Sequence, residues 1–334
     1  MATLKNDMRH FALSNIVDND TKRSYCHNIN HFCTWLEERD GRRRKMKDLK
    51  GEKKDLINEY SDYLQKRGLS SHTIHTYLAP ICKAFQIKMD KVDKPVRKAA
   101  DVTRGRMADA NLQGKREAQM ERYARSVKFQ RGVGIRRAEL RNLTAGDLTE
   151  DESGELCVLV KQGKGGKRQL QVILPQYRDA VRRAFAAAEA SGNGPNTKLF
   201  MEKEMNNHID YHGLRAELAR EAYRYYLAEV TAGKREELKE RLVTRWNACH
   251  EEKYQIQKNS YGKYEQVVEK NTAKTAKFCK ELNNDEEYIL RGDNRRKAMA
   301  DGALGHYDRV ALLCVSVFHL SHWRNDVTTS HYMI

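Results

Sequence analysis

Leu156-Cys157-Val158-Leu159-Val160, then Gln162-Gly163-Lys164-Gly165-Gly166-Lys167-Arg168, then Leu170 to Pro175 reads as strand, glycine-rich basic turn, strand. The glycines let the backbone approach an anion, and Lys164 can reach into a site as a mobile cation and acid. The spacing is not that of a Walker phosphate loop. Taken alone, such a motif is more often a solvated hairpin. The flanking sequence is helical in pattern, so the fold class is mainly α with a small antiparallel β-sheet (α+β).

Upstream, Tyr25, Ile29, Phe32, Cys33 and Leu36 form the stripe of an amphipathic helix between Thr21 and Arg39. A second stripe, Leu56, Tyr60, Tyr63 and Leu64, predicts a helix over about 53–66 that stops at Gly68. A third, after Ser70 or Ser71 as N-cap, carries Ile74, Tyr77, Leu78, Ile81 and Phe85. Pro80 lies inside it and predicts a kink or break, at a cost of about 3 kcal/mol. With a first helix starting by about Thr21, no further domain is expected before these three. Lys91 to Arg106 holds six basic residues against two acids around Pro95, the pattern of an interdomain linker that could track phosphates or simply stay solvated. The expected organisation is therefore a helical domain over 1–90, a basic linker over 91–106 and a second domain over 107–334. A length of 334 residues suits two domains.

The net charge of +16 points to a polyanionic partner. Residues 1–100 hold 21 basic and 13 acidic side chains and the remainder 41 and 33, so both halves contribute +8. No apolar run approaches the length of a membrane span and no signal-peptide pattern opens the chain. Seven cysteines without a C-x-x-C pair fit reduced thiols and a cytoplasmic protein.

Three further pieces carry chemistry. In Gly134-Ile135-Arg136-Arg137-Ala138-Glu139-Leu140, a helix would put Arg136 and Glu139 on one face, although such pairs are usually structural. In His212-Gly213-Leu214-Arg215, the His and Arg at i and i+3 could bind one phosphate, with His212 also able to move a proton near neutral pH or to serve as a structural histidine. Leu320-Ser321-His322 precedes Tyr332, for which a frayed tail is the default.

The order Arg, Lys, His-x-x-Arg, His and terminal Tyr resembles the tyrosine recombinase (phage integrase) family, and the three N-terminal helices resemble its core-binding domain. The resemblance spans most of the chain apart from about 222–299. It implies a site-specific DNA recombinase or integrase of the kind carried by mobile elements. In that reading Tyr332 attacks a scissile phosphate to form a 3′-phosphotyrosyl link. Arg136 and Arg215 clamp the phosphate oxygens, with Arg137 the rival of Arg136. Lys164 protonates the leaving 5′-hydroxyl, His212 assists proton transfer at the nucleophile, His322 hydrogen-bonds the phosphate and Glu139 supports. No ATP, metal or other cofactor is implied. The implied partners are double-stranded DNA, a homo-tetramer of this chain on two sites, and accessory DNA-bending proteins, with no membrane. A type IB topoisomerase-like enzyme and a non-catalytic DNA-binding regulator on the same fold are the alternatives.

Three departures stand out. His322 to Tyr332 is ten residues where the family usually has nine, so a residue must be absorbed in the loop before the tyrosine. Ser321 replaces the glycine of the usual Leu-Gly-His, and only Met333 and Ile334 follow Tyr332, which puts the family's tail exchange in doubt. Leu304-Gly305-His306 is a decoy, since Val315 stands nine residues later. The long interval between Arg215 and His322 predicts a helical insertion, with Leu238, Leu242 and Trp246 at i, i+4 and i+8. Its 17 basic and 14 acidic residues between Glu221 and Ala300 interleave, which predicts a protein-facing or solvated surface against the same domain or a neighbouring protomer, and no DNA stripe. Deleting about 230–290 is then expected to harm assembly more than binding of one half-site.

Overall fold

The computed structural model describes residues 3–97, 113–192, 194–205, 209–267 and 272–333. The chain forms two compact units, Met1–Thr103 and Arg104–Ile334, and is mainly helical with small antiparallel sheets.

The first unit contains α1 (Leu4–Leu13), α2 (Asn19–Asp40), α3 (Lys53–Lys66) and α4 (Ser71–Phe85). Side-chain oxygens of Asp18 and Ser70 accept the N–H groups of Thr21 and Thr73 and so start α2 and α4. Met8, Phe32, Leu36, Tyr60, Leu64, Leu78 and Phe85 meet in one core. Helix α1, which supplies Leu4, Met8 and Ala12 to that core, precedes the helix expected to be first. Pro80 does not break α4; the helix runs through it. The proline removes the N–H that would bond the Thr76 carbonyl, and the buried Asn28 of α2 supplies the replacement, donating Nδ2 to Thr76 O at 2.9 Å.

Of the expected basic linker, residues 91–97 dock on this unit. Val92 is buried, Asn58 brackets Asp93 with two hydrogen bonds, and the His75 ring meets the Pro95 carbonyl at 2.8 Å. Residues 98–106 lie outside the described residues.

The second unit opens with α5 (Gln113–Arg122), α6 (Ala124–Val133) and α7 (Arg137–Leu140). A three-stranded antiparallel sheet follows: β1 (Leu148–Glu150), β2 (Leu156–Val160) and β3 (Gln169–Val172), in the order β1-β2-β3. Alternation along β2 feeds two cores. Leu156, Val158 and Val160 face Val133, Ile135 and Phe185, the last from α8 (Arg178–Ser191), while Cys157 and Val172 face the opposite core. Helix α9 (Tyr211–Thr231) serves both, through Leu214 on one side and Ala219 and Tyr226 on the other.

The insertion after α9 is not purely helical. Helix α10 (Arg235–Cys249) leads to a hairpin, β4 (Ile256–Lys258) and β5 (Tyr264–Gln266), then α11 (Ala273–Leu282), β6 (Tyr288–Ile289), α12 (Gly292–Ala300) and β7 (His306–Tyr307), which pairs with β6. Nor is it an appendage. Leu242, Trp246 and Phe278 share a core with α9 and with Leu312 of α13 (Arg309–Cys314). Arg245, 3% exposed at its side chain, forms ion pairs with Asp151 and Glu152 in the β1–β2 turn. Deleting 230–290 would therefore strip the second core, so the deletion expected to separate assembly from half-site binding would instead damage folding. Among the described residues no helix is long and apolar enough to cross a membrane.

Candidate active site

The first wall forms where α6 turns into α7. Gly134 ends α6 at φ +63°, and a Cβ there would stand 2.5 Å from Leu218 of α9, so only glycine permits the approach. Two residues later Arg136 starts α7. Glu139, 2% exposed, accepts the Arg136 backbone N–H at 2.9 Å and its Nη1 at 2.7 Å. The same carboxylate meets the Lys164 backbone N–H at 3.4 Å. The Arg136–Glu139 pair is thus not a solvated surface pair. It locks an arginine to the hairpin turn, whose tip is made by Gly165 and Gly166 at φ +79° and +75°. Lys164 is exposed on that turn.

The second wall is α9. Asp210 accepts the Gly213 N–H at 2.9 Å and starts the helix, which places His212 at its mouth and Arg215 one turn deeper. Arg215 is 1% exposed and donates to the carbonyls of Gly134 and Leu320, the latter at 2.9 Å. Its Nε has no partner among the described residues. Burial lowers its pKa, an effect opposed by the neighbouring Tyr332.

The third wall is irregular. A π-helical turn spans Val315–His319, and beyond Leu320 the non-glycine residues Ser321 and Trp323 adopt φ of +53° and +58°. Buried Ser316 clips this loop. Its carbonyl accepts the His322 N–H at 2.9 Å, and its Oγ accepts Arg324 N at 2.8 Å while donating to Arg324 O at 3.1 Å. Helix α14 (Asn325–Thr328) then passes into a second π turn, Thr329–Met333, that carries Tyr332. A π turn holds more residues per turn than an α turn, so the His322–Tyr332 interval includes a widened turn at its end. The serine in place of glycine, expected to matter little, occupies a left-handed backbone that glycine adopts without strain.

Tyr332 is no frayed tail. It is 4% exposed, its carbonyl accepts Arg220 Nη1 at 3.2 Å, and the Met333 carbonyl accepts Tyr307 Oη at 3.3 Å. Its ring lies 5.2 Å from that of His212, 5.6 Å from that of His322 and 5.6 Å from the Arg215 guanidinium. His322 Nε2 stands 3.3 Å from the phenol oxygen. Burial, then Arg215, Arg136, His331 and Lys164, push the His322 pKa down to about 3, so the imidazole is neutral at pH 7.

Six residues spread from 136 to 332 therefore converge: Tyr332 with His212, Arg215 and His322 in direct proximity, and Arg136 and Lys164 joined through Glu139 and within electrostatic reach of His322. For Arg137, the rival arginine, no contact with Arg215 or His322 is seen among the described residues, and its Nε has no partner there. The decoy His306 lies in β7, 3.0 Å from Glu287. Sequence reasoning did not find Arg220, which bonds the Tyr332 carbonyl, or Ser316, and it did not foresee the burial of Glu139. An arginine one and a half turns after Arg215 was the available signal for Arg220; a lone serine gives none.

No family model and no curated protein matches the chain. Among solved structures it is similar to the XerA recombinase at 16% identity, over 65% of this chain and 82% of that one, with a TM-score of 0.24. So loose a superposition carries no weight for the fold or the chemistry, which stand on the elements and distances above.

Proposed function

We propose that this chain is a tyrosine-type site-specific DNA recombinase that cuts and rejoins duplex DNA through a phosphotyrosyl link on Tyr332. The observation that carries the reading is the burial of a tyrosine hydroxyl among two histidines and a guanidinium, with a second arginine and a lysine at the rim. A tyrosine in so cationic a pocket needs an anion for company, and a phosphodiester is the anion it can attack.

In the proposed reaction the Tyr332 oxygen bonds to phosphorus and the P–O5′ bond breaks. The phenol proton passes to an imidazole. Neutral His322 stands at hydrogen-bond distance in the DNA-free protein, and His212 flanks the ring from the other side. Arg215, with its buried Nε, and Arg136 face the charge that grows on the non-bridging oxygens. Lys164, on a turn hinged by glycines, delivers the proton to the departing 5′ oxygen. The covalent link conserves the phosphodiester energy, so religation to a second DNA end needs no nucleotide. Exchange between two sites then calls for four protomers and a double-stranded partner, the arrangement we propose for integration or excision of a mobile element.

The test uses duplexes selected for binding from a randomised pool and nicked to trap cleavage. A covalent adduct with the native chain that disappears in Tyr332→Phe supports the reading. Absence of adduct from duplexes that bind the native chain overturns it, and relaxation of supercoiled plasmid without strand exchange points to a topoisomerase.

A further inference from the structure

The loop that carries His322 also touches the insertion, through the next residue. Trp323 lies 5.2 Å from Trp246, 5.3 Å from His250 and 5.6 Å from Phe278. His250 stacks on Trp246 at 4.0 Å, with its Nδ1 at 2.8 Å from the Trp246 carbonyl. The other ring nitrogen, Nε2, faces Lys274 Nζ at 2.7 Å, and that ammonium stands 5.5 Å from the Trp246 ring. With Nδ1 donating to the carbonyl, Nε2 is the acceptor, so Lys274 keeps its proton and its charge.

Other lysines of the insertion behave differently. Lys239, Lys253 and Lys258 meet Asp285, Glu251 and Glu236 at 2.7–2.8 Å. Lys274 is held instead by a neutral base and an aromatic face. The charge that acts on it most strongly is another cation, Lys167 of the hairpin turn, which also acts on His250, while Arg168 acts on neighbouring Cys249. The nearby Glu152 is committed to Arg245. Burial and the repulsion from Lys167 lower the Lys274 pKa, the mark of a cation placed without compensation.

We propose that Lys274, together with Lys167 and Arg168, grips the phosphate backbone of the duplex beside the phosphate attacked by Tyr332, so that the insertion is a DNA contact as well as a core element. This rests on the reading of Tyr332 as a DNA nucleophile. A duplex carries a charge about every 1.7 Å of its axis, so DNA seated at Tyr332 brings further phosphates past Trp323. The overall balance of the insertion concealed this, because many of its described cations are paired off while Lys274, held by an imidazole, lies beside the loop that carries His322.

The experiment measures binding of a random-sequence 30-base-pair duplex to the full chain by fluorescence anisotropy from 0.05 to 0.3 M salt. Lys274→Gln should lower the slope of log affinity against log salt by about 0.9 and weaken binding about fivefold at 0.15 M salt. Lys274→Arg should restore both, and Lys258→Gln should leave both unchanged. An unaltered slope in Lys274→Gln, or an equal change in Lys258→Gln, overturns the inference while the Tyr332 reading stands. Failure of the native chain to bind duplex at all overturns both.

Discussion

Two sides of the same site are built by opposite means. The Arg136–Lys164 side uses a helix cap, a regular hairpin and glycines wherever the backbone turns left-handed. The 315–332 side uses two π turns, two non-glycine residues at positive φ and a buried serine clip. Arg215, buried between them, bonds a carbonyl from each. Positions that only need to meet an anion can be relaxed and exposed. The position that holds the proposed nucleophile and a neutral imidazole at 3.3 Å is carried by a strained, over-determined backbone.

The sharpest way to break this contrast is to remove each arginine. Arg215→Ala should abolish cleavage and also cost about 3 kcal/mol of stability in denaturant unfolding, since a buried side chain with packed partners is lost. Arg136→Ala should depress cleavage about a hundredfold or more, with a smaller loss of stability, because its side chain is 27% exposed. Equal stability losses would erase the distinction between the two sides.

Ser316→Ala tests the clip. Two side-chain hydrogen bonds disappear from a buried site, so stability should fall by about 1–2 kcal/mol and cleavage by about tenfold, with DNA affinity unchanged. A loss of affinity equal to the loss of cleavage would mean that the clip serves the surface and not His322.

Acid should act on the irregular side. His322 and fully buried His319 both have pKa values pushed down to about 3, chiefly by burial. Both are neutral in the folded chain while the unfolded chain takes up protons below about 6.5, so their contribution is complete above that pH and is lost as pH falls toward 3. The slope should approach about 1.4 kcal/mol per pH unit for each imidazole. His319→Gln should flatten the profile measured by urea unfolding between pH 6 and 4; an unchanged profile would place the titration elsewhere.

Ser321→Gly is the mildest probe. Relief of the left-handed backbone is offset by the entropy of an added glycine, leaving a gain of about 0.5–1 kcal/mol. A loss would show that the serine side chain earns its place there.

The same contrast explains what could be read from the residues. Helices at 53–66 and after Ser70 were legible because stripe, cap and stop are local. The hairpin and the Arg136, His212 and Arg215 boxes were legible for the same reason, each being a few adjacent residues. Local rules left a break at Pro80 open, since its compensation comes from Asn28, 48 residues from the carbonyl it serves. They missed α1, whose short stripe of Leu4, Met8 and Ala12 gains meaning only against α2 and α4. The hairpin inside the insertion escaped because its strands are three residues each. The π turns escaped because no composition marks them. The burial of Glu139 escaped because nothing in a helix pair tells how deeply the carboxylate will be packed.

The asparagine beneath α4 also constrains how this chain can change over time. With Pro80 present, Asn28 carries weight, since without it a carbonyl inside α4 loses its side-chain partner. Replace the proline first with alanine, and the restored amide competes for that carbonyl, so the asparagine becomes dispensable. The two substitutions are thus ordered: one route passes through a tolerated intermediate and the other through a damaged one, although the residues are far apart in sequence.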